Sequence, residues 1–580
     1  VFAIVLSGLL ISLSSAGAQE SADAPNAVGT RPGPGVFRIG NAISPVNYWM
    51  TAWMLNDVFK MAGFEAEIGN REPSRAWVPE LAGAWRRDLR HRVPTDSRGW
   101  PTSLTLTDGR RADRLTTIVM GAAELPGQFP AGTYRMTYDG EGSVQVLTAP
   151  VVSEKPGEIL IDYDGKSTLM LSLTETDPAG TGDYIRNISI RRPDATDGER
   201  FNQAYLDYLR PFSVIRPLHF FGDQLTYGPA SSWEARKRET CSHWGGALGA
   251  PYEVAADLAN QSASDLWLNV PIAAGDSYMR QLAALMLREL GQERRLYVEL
   301  GNELWNYAPP YDRGRAYALQ QARRQWPDVE GRVRSWSGGD EVGESQMLFS
   351  WQGKRTVEMC RIFREAWDEA AERVTCVAAG QIGGSAPYYH PSRFLLESPV
   401  YVHEAGGVPA GEVVDAFAVA PYISEEEGVI DFDSSSPAAF IADAIGYVRG
   451  EGIYGGDSDE PGLRFLIRSD RALAAEFGLP LVAYEGGQHF VGSRFTRDRV
   501  NTHPDMYELY RALFEVWQEE GGGLFVHYAG IIPRGQNEPG TEPGYYQSEN
   551  FGIKELQTQP LSEAPKLRAT LDVMAEIGQR

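Results

Sequence analysis

The 580-residue chain sets 54 Lys and Arg against 77 Asp and Glu, a formal charge of −23, and has an isoelectric point near 4.9. No segment supplies the concentrated basic surface that phosphate binding needs, which excludes a nucleic-acid partner. The length is too great for one ordinary domain but suits a barrel of roughly 250 residues with insertions plus an accessory module.

Residues Val1 to Ser15 are almost wholly apolar and run into Ala16-Gly17-Ala18, the small-residue pattern of a signal-peptide cleavage site. The run is shorter than the ~20 residues a spanning helix needs. Residues 1–18 are therefore expected to be a signal peptide, leaving a secreted or periplasmic protein with no membrane contact. Residues 19–34, rich in Ala, Pro and Gly, suit a flexible linker. Val36 to Ile39 is the first strand candidate. From Asn47 to Phe59, Met50, Met54 and Val58 recur every four positions beside Trp49 and Trp53, which predicts a helix. Residues 35–90 then form the first β/α unit.

From residue 91 to 195 long helical periodicity gives way to alternating segments separated by Gly, Asp and Pro. Ser103–Thr107, Thr133–Tyr138, Ser143–Val146, Glu158–Asp162 and Thr168–Leu173 are predicted strands, with Asp139-Gly140 and Asp164-Gly165 as turns. The spacing suits an inserted sandwich of jelly-roll type.

Residues 196–580 alternate strands and helices, as a parallel α/β architecture does. Helices are expected around Tyr278, Leu282, Leu285 and Met286, over Thr356–Ala371 and over Arg471–Phe477. Val36, Val214, Leu266, Tyr297, Val374, Ala416, Leu481 and Leu524 mark eight strands. The expected fold is an α/β (β/α)8 barrel carrying an inserted all-β sandwich. Of the cysteines, Cys360 and Cys376 lie in apolar surroundings and read as core residues, and with Cys241 they show no metal-ligand spacing.

Two short runs stand out: Val298-Glu299-Leu300-Gly301-Asn302-Glu303-Leu304-Trp305 and Leu481-Val482-Ala483-Tyr484-Glu485-Gly486-Gly487. Each is a buried-strand pattern ending in a glutamate beside Gly or Asn, which is where a barrel places its catalytic groups. The strand count puts Glu303 on the fourth strand and Glu485 on the seventh, so barrel closure brings two carboxyls to one mouth. A separation of ~5–5.5 Å lets one attack an anomeric carbon while the other protonates the departing oxygen; ~6.5–9.5 Å leaves room for the water of an inverting reaction.

Gly301-Asn302-Glu303 and Tyr484-Glu485-Gly486 resemble the acid/base and nucleophile signatures of the clan A glycoside hydrolases, the retaining (β/α)8 group that includes many cellulases, mannanases and xylosidases. The resemblance covers about 400 residues in pattern and implies that Glu303 is the general acid/base and Glu485 the nucleophile. It implies further that Asn302 hydrogen-bonds the sugar 2-hydroxyl, that Arg216 holds the nucleophile ionised, and that Tyr422 is the tyrosine beside it. Those roles are physically consistent, since a cation beside Glu485 would favour its charged form and apolar neighbours such as Trp305 would favour the neutral form of Glu303. A second reading of Arg216 is a core partner for Glu299.

The eighth strand departs from that pattern, with Phe525-Val526-His527-Tyr528 where many members carry a tryptophan platform. His527 or Tyr528 stands in for it. Trp305, Asn269 and His219 complete the expected sugar-binding set, with Trp233, Trp244, Tyr227 and Asp223 on nearby loops. Loops Trp336–Glu344, Glu425–Ser436 and Arg534–Gly544 are expected to shape the rim. Glu425-Glu426-Glu427, Asp431 and Asp433 read as a solvated acidic loop, and no metal, cofactor or nucleotide is expected. The partner is a carbohydrate. The competing reading is a secreted carbohydrate-binding protein on a barrel scaffold, catalytically silent, since a fold is not a function. Tyr184–Ile188 and Val298–Asn306 also resemble segments of uncharacterised secreted bacterial proteins for which cellulose binding is a suggestion.

Overall fold

The computed structural model describes residues 33–579 except 64–75, 122–128, 196–197, 222–231, 246–248, 309–310, 384–390, 425–431, 457–460, 491–495 and 534–550. The signal segment, the linker up to residue 32, Asp223, Tyr227, Asp431, the Glu425–Glu427 run and the loop expected from Arg534 lie outside the described residues. Pro34–Arg580 forms one compact unit.

Eight parallel strands close into a barrel in sequence order: Ile39–Ala42, Val214–Arg216, Asp265–Val270, Leu296–Leu300, Val374–Ala379, Ala416–Val419, Leu481–Ala483 and Phe525–His527. They are the eight strands expected, within a few residues at their ends. Closure is made by the first strand, which pairs with the second at Asn41 and Ile215 and with the eighth at Gly40 and Val526. Gly40 allows that approach, because a Cβ there would stand 2.8 Å from the Val214 carbonyl oxygen. Apolar residues on both faces explain why these strands read as continuous runs. Alternate residues point inward: Val214, Trp267, Tyr297, Val482, Leu524 and Val526 fill the barrel interior. Trp267 and Tyr297 stack there at 5.3 Å between ring centroids.

Outside, amphipathic helices cover the strands. Asp276–Glu289 buries Met279, Leu282, Ala283, Leu285 and Met286. Glu344–Trp367 starts well before the predicted Thr356, and Leu463–Glu476 begins ahead of Arg471. Cys360 and Cys376 are fully buried. Among the described residues, no helix is long and apolar enough to cross a membrane.

The chain between the first two barrel strands forms two antiparallel sheets. The five-stranded sheet contains Val78–Leu81, Ala84–Trp85, Arg114–Met120, Gly142–Val146 and Leu169–Thr176; the four-stranded sheet contains Gly132–Asp139, Val151–Lys155, Glu158–Tyr163 and Arg186–Arg191. Their alternating residues Val144, Leu171, Leu173, Tyr134, Met136, Ile159, Ile161 and Ile190 are buried in one cluster, the mark of an inserted β-domain. Residue 91 falls inside this sheet-forming region, since Val78–Leu81 already pairs with Arg114–Met120. Pro79 and the shortness of that strand hide it in the sequence. Ser103–Thr107 forms no strand, only a single bridge from Thr105 to Arg111.

The helix expected over Asn47–Phe59 is absent. Its backbone groups are taken by the segment returning from the insert: Asn56 N donates to Arg200 O, and Asn202 N to Met54 O. Met50, Met54 and Val58 are nevertheless buried, so their spacing reported burial and not helix. Only a short 3-10 turn, Val58–Met61, forms. The first helix of the barrel proper is Gln203–Leu209, capped by the Asn202 side chain on Ala204 N. The β-domain therefore enters between the first strand and its helix, not after the first β/α unit.

Candidate active site

At the carboxyl ends of the strands the barrel interior changes from apolar to charged. The change is centred on Arg216, the last residue of the second strand and fully buried. Its Nη1 donates to Glu485 Oε1 at 2.5 Å, and its Nη2 donates to Glu299 Oε2 and to Asn302 Oδ1, both at 2.8 Å. Arg216 thus does both things the sequence left open, pairing Glu299 within the barrel and binding Glu485 at its mouth. Glu299 is further fixed by Trp267 Nε1 at 2.8 Å. A planar guanidinium suits this work, because its donors diverge in one plane toward several acceptors.

Glu303 is delivered by a left-handed turn. The fourth strand ends at Leu300, and both Gly301 (φ +67°) and Glu303 (φ +47°) take positive φ. Glycine adopts this freely; a glutamate does so at a cost of order 1–3 kcal/mol, a kind of strain that clusters at functional sites. The turn is tied by Asn306 N to Glu303 O at 2.9 Å and by Asn269 Nδ2 to Gly301 O at 2.8 Å. The carboxyl itself accepts from Asn306 Nδ2 at 3.0 Å and from the Tyr484 hydroxyl at 3.3 Å. Trp305 Nε1 donates to that same hydroxyl at 3.2 Å.

Glu485 follows the seventh strand, whose backbone continues into a small parallel ladder of Tyr422–Ser424 with Gly487–His489. The ladder sets Tyr422 beside Glu485, and its hydroxyl donates to Oε2 at 2.8 Å. Each Glu485 oxygen therefore has a donor, one of them cationic.

The two glutamates sit in opposite electrostatic settings. Burial, and then the charge of Glu485, push Glu303 up to about 8, outweighing its hydrogen bonds from Asn306 and Tyr484 and the more distant Arg216. Burial also raises Glu299, against the pull of Arg216. Burial opposes the Arg216 charge, but Glu299 and Glu485 overcome it and hold the guanidinium protonated. Burial lifts the Tyr422 and Tyr484 phenols well above their ordinary value, with Glu485 adding to the first and Glu303 and Glu485 to the second. Both remain donors at any ordinary pH.

Arg216, Asn302, Tyr422 and Glu485 thus share one hydrogen-bonded network, Glu303 and Trp305 meet through the Tyr484 hydroxyl in a second, and Asn269 braces the turn that carries Glu303. His219 lies beside it: its Nε2 is 3.0 Å from the Tyr528 hydroxyl, and burial, with Arg216 nearby, lowers its pKa to about 3. His527 does not join them. Strand alternation turns Val526 and Tyr528 inward and His527 outward, where its Nε2 lies 2.9 Å from Tyr510 Oη on the helix Met506–Glu519. The expected placement of His527 against the sugar is corrected accordingly. Tyr528 instead lies edge-on to Tyr422, at 6.3 Å, and to Phe551, at 5.2 Å.

Trp233 packs on Tyr252 and Tyr278, and Trp244 is buried beneath Lys60. Both are packing residues. Trp336 stacks on His403 and donates to Glu404. Sequence reasoning missed Tyr484, Asn306 and Phe551. Tyr484 was accessible, since it shares the inward register of Val482; nothing local marks Phe551.

No family model matches the sequence, and no curated protein matches it. Among solved structures the chain is similar to an exo-beta-agarase, at 10% identity and a TM-score of 0.34, over 93% of this chain and 62% of the agarase. It is similar to the CBM22-1 and GH10 modules of endo-1,4-beta-D-xylanase 10B from Clostridium thermocellum, solved with xylohexaose, at 10% identity and a TM-score of 0.35, over 88% of this chain and 96% of that one. A GH5-4 broad-specificity endoglucanase from Clostridium longisporum is similar at 12% identity and a TM-score of 0.34, over 66% and 88%. Likenesses this remote leave the chemistry to be read from the site itself.

Proposed function

We propose that the chain is an exported glycoside hydrolase that cleaves an oligo- or polysaccharide with retention of anomeric configuration, in the manner of the clan A enzymes. The observation that carries this reading is the opposed setting of the two carboxyls. Glu303 is held protonated by burial and by a neighbouring negative charge, while Glu485 receives an arginine N–H and a tyrosine O–H. Paired acids with opposed environments are the arrangement that assigns acid and nucleophile.

In the first step a Glu485 oxygen attacks the anomeric carbon as the glycosidic C–O bond breaks. The bonding pair goes to the leaving oxygen, which takes the Glu303 proton. A glycosyl ester on Glu485 results. Glu303, now ionised, removes a proton from water; that water attacks the anomeric carbon, and the ester C–O bond breaks to return the Glu485 carboxylate. Asn302, fixed by Arg216, is assigned to the sugar 2-hydroxyl.

A panel of chromogenic glycosides and plant and microbial polysaccharides identifies the substrate. Proton NMR of the first-formed anomer then decides stereochemistry, and Glu485→Ala is expected to abolish turnover without unfolding. Inversion would overturn the mechanism. Binding of a glycan with no turnover across the panel would return the reading to a silent carbohydrate-binding protein.

A further inference from the structure

A cleft of about 700 Å³ lies at the amino-terminal end of the barrel, opposite the mouth that holds Glu303 and Glu485. Its walls come from the places where strands begin. Arg295 precedes the fourth strand, Thr375 lies in the fifth, Val414 precedes the sixth, and Leu479 and Pro480 precede the seventh. A volume of this size holds a small organic molecule.

The amino-terminal face of a barrel ordinarily serves stability, and three arginines do so here. Arg294 Nη1 donates to Ala263 O at 2.7 Å, and Arg373 donates to Arg294 O and Gly291 O at 2.9 and 2.6 Å. Arg364 Nη2 donates to both Asp415 oxygens at 2.8 Å, and Asp415 Oδ2 also accepts from Cys376 N at 2.7 Å. The charge of Asp415 is thereby neutralised.

Arg295 is different. Its Nη1 donates to Glu372 O at 3.0 Å and to Thr375 Oγ1 at 3.2 Å, which fixes the guanidinium plane. Its Nε, shielded from solvent, has no acceptor, and the side chain makes no further hydrogen bond or ion pair among the described residues. The uncommitted Nε–Nη2 edge is the fork that meets a carboxylate through two parallel N–H bonds. Thr375 is buried, and by accepting from Arg295 it keeps its own O–H to donate. Val414, Leu479 and Pro480 supply an apolar wall, while exposed Glu372 at the lip disfavours a second negative charge. We propose that this cleft is a binding site for an organic monocarboxylate with an apolar body, its carboxylate on Arg295 and its body against that wall. Nothing in it depends on the chemistry of the mouth.

The test titrates the full-length protein by isothermal calorimetry with octanoate and with its neutral analogue octanol. Octanoate is expected to bind at one site with a Kd on the order of 0.1–1 mM, and octanol at least roughly ten-fold more weakly. Arg295→Met and Arg295→Lys are each expected to weaken octanoate binding about ten-fold or more, because the first removes the charged donors and the second has no fork. Ala371→Trp, which fills the cleft and leaves Arg295 in place, is expected to do the same. Glu485→Ala, changed at the far end of the barrel, is expected to bind as the wild type does. No saturable binding, equal binding of acid and alcohol, or loss of binding in Glu485→Ala overturns the proposal. So does undiminished binding in the Arg295 variants or in Ala371→Trp, which decides by itself if the Arg295 variants fail to fold.

Discussion

The pKa of Glu303 can be tested by moving each of its causes in turn. Its rise from 4.5 to about 8 is a preference for the neutral acid on the order of 5 kcal/mol. Burial contributes most, Glu485 next, and the hydrogen bonds from Asn306 and Tyr484 act against them. Three shifts follow in direction. Wild-type kcat/KM is expected to fall on the alkaline side with a midpoint near 8, because turnover needs the Glu303 proton. Glu485→Gln removes the repelling charge, so the Glu303 midpoint, followed by carbon-13 NMR of labelled glutamate in that inactive variant, is expected to move down. Asn306→Ala removes a donor to the ionised form, so the alkaline limb is expected to move up, by up to about one unit for a charge-assisted bond of 1.5 kcal/mol. Tyr484→Phe shifts it the same way by less, its contact being longer. An alkaline limb near 5, or a Glu303 midpoint that stays put in Glu485→Gln, would refute the reasoning.

Tyr422→Phe removes the hydroxyl donor to Glu485 and is expected to lower kcat by about 10- to 100-fold, with the fold intact by circular dichroism, since hydrogen bonds to charged groups contribute about 1.5–3 kcal/mol. Arg216→Met leaves Glu299 and Glu485 buried without their cation and is expected to cost about 3–5 kcal/mol in urea unfolding; adding Glu299→Gln should recover part of it. Asp470 is fully buried on its helix, accepts from Gly383 N at 2.7 Å, and is raised by burial to about 8. A folded-state value above the unfolded 3.8 means that the native state holds the extra proton, so stability is greatest at low pH and declines as pH rises through about 8. Asp470→Asn keeps the acceptor without the charge and is expected to be the more stable protein at pH 8–9 by thermal melting, the difference vanishing below pH 4.

The barrel was legible because a strand buried on both faces has to be apolar throughout, and eight such runs occur in the right order. What misled was periodicity without competition for backbone partners. Met50, Met54 and Val58 are spaced as in a helix, yet Arg200 and Asn202 claim that segment's backbone bonds from 140 or more positions away, and no local pattern announces this. The turns show the same limit. Asp139-Gly140 and Asp164-Gly165 are real turns, but each joins strands of different sheets and not a hairpin: Gly132–Asp139 and Glu158–Tyr163 pair with each other, while Gly142–Val146 and Leu169–Thr176 pair in the other sheet. At the site, the two glutamates and Arg216 were readable from strand ends. His527 was misplaced for a reason the sequence itself contained, since Phe525 and His527 share one face and Val526 and Tyr528 the other.

The assignment of roles rests finally on charge. The mouth of the barrel gathers three carboxyls, Glu299, Glu303 and Glu485, around one guanidinium that is fully buried. With all three ionised the cluster would carry two uncompensated negative charges where solvent is scarce, which is costly enough that one group takes a proton instead. Glu299 and Glu485 each contact the guanidinium directly, whereas the contacts Glu303 makes are to a neutral amide and a neutral phenol. Protonation therefore falls on Glu303, the carboxyl that burial and the neighbouring Glu485 push up to about 8. The barrel register fixes this asymmetry between the two glutamates, because bringing Arg216 to Glu303 in place of Glu485 would mean moving the second strand.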